Sequence, residues 1–180
     1  MPLTSKGDRR HWRGLLNSAQ GWNGWSTKRW LLPDAGGGIA MPPYAYVPGK
    51  TARHPEDWFD GIKASVPAGA APCDLAETQA FRAGLAYLDA GFYWECHEVL
   101  EAVWMQTPQG SPEREMVQAL IQLANAHLKV LMARPRAALR LCDMVEAHVQ
   151  RIGTAEVILG VDIATVRAGI AKVRLNLRGG

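Results

Sequence analysis

Gly91-Phe92-Tyr93-Trp94-Glu95-Cys96-His97-Glu98-Val99-Leu100-Glu101-Ala102-Val103-Trp104 is the stretch whose reading decides the fold. It holds no proline, and at about 100° per residue Cys96, Val99, Leu100 and Val103 fall on one side, as on a helix with one face in a core. His97 and Trp104 stand beside that apolar arc, Trp94 and Glu101 follow, Glu98 comes next, and Glu95 lies nearly opposite Trp104. His97 and Glu101 are four residues apart and therefore one turn apart on the same side.

Working outward, Leu75, Phe81, Leu85 and Leu88 recur at spacings suited to one apolar face. Asp74-Leu75-Ala76-Glu77 has the capping-box spacing, which places a helix start there, and Gly91 is a left-handed stop. The motif helix, from about Phe92 to Gln106, then completes a helical hairpin with a short joint before Pro108 and Gly110 break it. Downstream, Ser111-Pro112-Glu113 supplies an N-cap, a first-turn proline and an early acid, opening a long helix to about Ala133. Pro135 starts the next, in which Leu141, Val145, His148, Val149 and Ile152 share a face before Gly153. Asp162 caps a last helix bearing Ile163, Val166, Ile170 and Val173. No strand-like alternation and no solenoid-length repeat is evident. The expected fold is all-α, a small bundle of about five helices over residues 74–176.

Residues 41–72 differ in character. Prolines at 42, 43, 48 and 55 oppose helix, so an extended, aromatic strap is expected, with a type II turn at Pro48-Gly49 and a short helix within Glu56–Val66. Pro67 to Pro72 reads as a linker. Residues 1–40 carry four of the seven tryptophans and seven of the 18 glycines, with no sustained period. Three readings fit them: a natural start at Met41 with an upstream mis-annotated extension, a disordered arm, or a targeting peptide.

Charge separates the same way. The net +3 contains six basic and two acidic residues in the first forty, leaving fourteen basic against fifteen acidic over the other 140. The basicity is not spread over the bundle, which argues against nucleic acid as a partner. No apolar run reaches the ~18 to 20 residues that span a bilayer, and no secretory leader is evident, so a cytoplasmic protein away from membranes is expected. Cys73, Cys96 and Cys142 are odd in number and far apart, and read as reduced and mostly buried.

Chemically, His97 and Glu101 have the geometry by which a helix donates two ligands to one divalent metal, and Glu98 beside them is a candidate base for a metal-bound water. Zinc, manganese or iron would suit such a mixed set. Further ligands would come from His54, His127, His148 or Asp143, none with diagnostic spacing. The alternative is a structural network, in which Glu98 and Glu101 pair with basic groups on neighbouring helices while His97, Trp94 and Trp104 finish the core edge. On the long helix Gln118, Gln122, Asn125 and Lys129 form one polar stripe. If it faces the motif helix, Lys129 is the expected charge partner, and such a network must be fully paired.

Gly91-x-Tyr93-Trp94-Glu95-x-His97-Glu98-x-x-Glu101-x-x-Trp104, followed by Gln118-Ala119-Leu120-Ile121-Gln122-Leu123-Ala124 and Lys129, resembles the bacterial and archaeal family called Domain of Unknown Function 309. The resemblance covers about residues 75–140, and the strap with Arg53-His54-Pro55 is similar to the lead-in of some members. It implies a small all-α bundle and carries the label "predicted metal-dependent hydrolase", itself inferred from the His and Glu pattern. The family motif falls on Glu95, His97, Glu98, Glu101, Trp104, Gln118, Gln122 and Lys129, and it supplies no substrate. The two functional expectations are a metal-dependent hydrolase acting on an unknown small molecule, and a non-catalytic module that binds a protein partner or forms a homo-oligomer.

Overall fold

The computed structural model describes residues 38–178. The reading of the first forty residues falls largely on 1–37, outside the described residues. Seven helices are present among the described residues: α1 (Asp60–Lys63), α2 (Pro72–Leu75), α3 (Gln79–Ala90), α4 (Tyr93–Gln106), α5 (Pro112–Leu131), α6 (Pro135–Ile152) and α7 (Ile163–Asn176). The first two are single turns, so the body is a bundle of five helices, as expected.

Local chemistry explains most boundaries. Gly91 takes φ of 86° and ends α3, and the Phe92 N–H donates to Tyr87 O at 2.8 Å, so α4 begins almost at once. Ser111 accepts from Arg114 N at 3.1 Å with Pro112 in the first helical position, and Pro135 opens α6 in the same way. Asp162 caps α7 through Ala164 N at 2.6 Å. One expected cap is corrected. Asp74 lies inside the one-turn α2, and Thr78 caps α3, accepting from Phe81 N at 3.2 Å while donating to Leu75 O at 2.7 Å. Glu77 does not reach back to a cap but pairs with Arg82. The expected helix within 56–66 shrinks to Asp60–Lys63, and a two-residue antiparallel hairpin, β1 (Val157–Ile158) with β2 (Val161–Asp162), precedes α7. Two residues per strand are too few to show alternation in sequence.

α5 is the central helix. Met116, Val117, Ala119, Leu120, Ile121, Leu123, Ala124, Ala126, His127 and Leu128 are buried on it, because α4 packs on one side and α6 and α7 on the other. Cys96, Val99, Leu100 and Val103 of α4 are buried as the wheel required. α3 approaches α4 so closely at Gly84 that an added Cβ there would lie 2.5 Å from Leu100 Cγ.

Residues 38–55 carry neither helix nor strand. At Val47–Lys50 the chain turns back, with Lys50 N donating to Val47 O at 2.9 Å and Gly49 at φ 78°. Tyr87 of α3 donates its hydroxyl to Ala40 O at 2.8 Å, and Lys50 Nζ reaches Leu131 O at 2.6 Å. The latter sets a cation at the C-terminal end of α5, where carbonyls lack helical partners and the dipole is negative.

Candidate functional site

The motif helix sends its polar side chains in three directions. Glu95, in the first turn of α4, is fully buried. Its Oε1 accepts the Tyr46 backbone N–H at 2.6 Å and lies 2.8 Å from His54 Nε2. Its Oε2 is buried with no hydrogen-bond partner. His54 is itself only 4 % exposed. Tyr44 stacks on it at 4.6 Å and 17°, Trp58 and Trp94 lie nearly parallel at 5.8 and 6.1 Å, and Phe59 meets it edge-on at 5.7 Å. Trp94 also receives Tyr46 edgewise at 5.0 Å and the Arg53 guanidinium at 5.3 Å. Burial, with the negative charge of Glu95 added, pushes the Tyr87 hydroxyl up to about 12. The same two causes, in the same order, raise the Cys96 thiol, so this cysteine is inert packing.

Glu98 points elsewhere. Its Oε2 pairs with Lys63 Nζ of α1 at 3.0 Å, where both side chains keep partial exposure. Sequence reading offered Lys129 as the charge partner, but Lys129 Nζ is directed at Met132 Sδ, 3.9 Å away. Lys63 was missed because nothing in its spacing links it to Glu98, 35 residues on.

His97 faces α5. Its Nδ1 is 2.9 Å from Asn125 Oδ1, and Asn125 Nδ2 donates to Gln122 Oε1 at 3.4 Å. A carbonyl oxygen only accepts, so Nδ1 is the donor in this contact. The polar stripe of α5 therefore does turn toward α4, with Gln118, Gln122, Asn125 and Lys129 all half-buried. Glu101 is exposed one turn along from His97. Trp104 carries the Arg114 guanidinium 4.0 Å over its ring, held there by Nη1 donating to Trp104 O at 3.1 Å and Thr107 O at 2.9 Å.

The other candidate ligands are scattered. His54 is with Glu95, His127 stacks on Tyr93 at 4.7 Å and 11°, His148 Nδ1 is 2.7 Å from Glu115 Oε2, and Asp143 accepts from Arg174 at 3.0 Å. Among the described residues no group of three or more His, Cys, Asp or Glu side chains is placed to hold a metal ion. His97 and Glu101 amount to two donors, and the residues do not fit the three-ligand set that a catalytic zinc requires. The cysteines are free, with Cys73 exposed and Cys96 and Cys142 buried. No helix of the described residues is long and apolar enough to cross a membrane.

No curated protein and no solved structure matches the chain. Residues 81–141 match the profile of one family, and they span α3, the motif helix, α5 and the start of α6. The family is the one described as Domain of unknown function (DUF309), and the similarity is confined to those residues.

Proposed function

We propose that this protein is a non-catalytic helical module in which α4 is a clamp, and that it acts by binding a protein partner or a second copy of itself. The observation that carries this reading is the divergence of three neighbouring side chains. Glu95 holds the strap, Glu98 holds α1 and His97 holds α5, each across a distance of 3.0 Å or less. A hydrolase would need Glu98 free beside a water bound between His97 and Glu101, whereas the Glu98 carboxylate is engaged by an ammonium. A clamp needs what is present: one polar contact per neighbouring element, which fixes register where apolar packing alone is tolerant.

The test combines metal and stability. On this reading a chelator leaves the thermal midpoint unchanged, and Glu98→Gln, which keeps shape and one acceptor, costs about 1 kcal/mol or less for a partly exposed pair. Binding of one equivalent of zinc, manganese or iron at micromolar concentration, lost in a folded His97→Ala variant, would overturn it and restore the hydrolase reading.

A further inference from the structure

Residues 38–66 are an arm laid on the bundle. Their polar contacts with the body are Tyr46 N–H and His54 on Glu95, Lys63 on Glu98, Ala40 O under Tyr87, Lys50 on Leu131 O and Ser65 Oγ accepting Ala80 N at 3.0 Å. Glu95 and the rings of Trp94 and Tyr87 thus form a seat for an extended segment. The seat reads one backbone N–H and one imidazole on a single carboxylate oxygen, a mode of recognition that uses main chain as much as side chain. Its occupant is the chain's own arm.

The arm joins the bundle through residues 67–71, a run of Pro, Ala, Gly, Ala and Ala that is exposed except for half-buried Ala70. Gly69, at φ 69°, bends this run back toward the body, and its N–H donates to Gln106 Oε1 at 3.0 Å. Val66 and Ala71 each precede a proline, which favours extended backbone, and Ala71 already has ψ of 148°. A linker with no fully buried side chain, one glycine-dependent bend and a proline at its start, with another just after it, can straighten at small cost. The arm also keeps Met41, Tyr44 and Trp58 exposed at 45, 38 and 46 %, apolar area at hand for a second chain.

We infer that the seat also takes the arm of a second copy, with residues 38–66 crossing over at 67–71, so that in a symmetric pair each bundle holds its partner's arm. This rests on the clamp reading of α4 and names its partner. Every seat contact made within one chain is remade between two, so exchange changes the linker and the association entropy and leaves the contacts intact.

The Lys63–Glu98 pair supplies the probe. Full-length light and heavy-isotope chains are mixed in equal amounts, incubated at high concentration, and treated with a carbodiimide, which joins the Glu98 carboxyl to the Lys63 amine as an amide while the carbodiimide takes up the elements of water and leaves as a urea. At full exchange about half of the Lys63–Glu98 cross-linked peptides carry mixed isotopes, found in a dimer by light scattering. A variant lacking Gly69 and Ala70, too short to fold the arm back, raises the dimer share severalfold and carries the cross-link between chains. Same-isotope cross-links alone, in the natural chain at high concentration and in the shortened variant where it folds, overturn exchange while leaving the clamp standing. Absence of the Lys63–Glu98 cross-link from a folded chain overturns the clamp itself.

Discussion

His54 and His127 are buried to nearly the same degree, 4 and 5 % exposed, yet the fold treats them in opposite ways. His54 comes from the arm and meets a fully buried carboxylate at 2.8 Å inside a cluster of aromatic rings. His127 comes from the central helix and lies flat on Tyr93. Burial first, and the positive charge of Lys172 second, drive its imidazole down to about 3, so it is neutral at physiological pH. Burial alone therefore says little about what an imidazole does. The surroundings decide: Glu95 makes His54 a fastening, while burial against a ring face beside an ammonium keeps His127 neutral. α4 divides in a similar way, with Glu95 fully buried toward the arm and His97 half-buried toward α5.

The sharpest way to break the contrast is Glu95→Ala. It leaves His54 and the Tyr46 N–H buried without their acceptor, for which a loss of about 3–5 kcal/mol is expected. Hydrogen exchange should deprotect residues 41–54 while the amides of α5 stay protected. Retained protection in the arm would show that the aromatic rings alone hold it.

His127→Phe probes the other histidine through pH. The folded-state value of about 3 lies below the unfolded 6.5, so between these values the unfolded chain binds more protons and acid destabilises the fold. The contribution is intact above pH 6.5 and is lost as pH falls, with about 2 kcal/mol of it gone by pH 5. In the Phe variant, denaturation at pH 7 and pH 5 should show a correspondingly shallower loss. An unchanged slope would mean that His127 is not the group buried neutral.

Glu95→Gln gives the smallest effect, about 1 kcal/mol, because the amide oxygen still accepts from Tyr46 N and His54. A loss equal to that of Glu95→Ala would show that charge, and not the acceptor alone, fastens the arm.

The bundle was legible in sequence because its signals are local. The apolar faces, Gly91, Ser111-Pro112, Pro135 and Asp162 each act within a few residues. The cap at α3 was misplaced by four residues because Asp74 offers an equally good box, whereas the chain forms a separate turn at α2, whose Leu75 is fully buried, and Thr78 caps α3. At the site the α5 stripe was readable from spacing, but whether it faced α4 or water was not, and its contact with α4 runs through Asn125 and not Lys129. Glu95 was quoted for its place in the motif, but its partners, a backbone N–H 49 residues away and a histidine 41 away, left no trace in any pattern.

By itself, then, the sequence determined an all-α bundle, the face of the motif helix that enters the core, and the family similarity of residues 81–141, since periodicity and capping are encoded residue by residue. Tertiary structure alone decided which neighbour each polar side chain of that helix serves. A carboxylate can accept from an ammonium, an imidazole or an amide with similar geometry, so its partner is whatever group the packing of distant segments brings within about 3 Å.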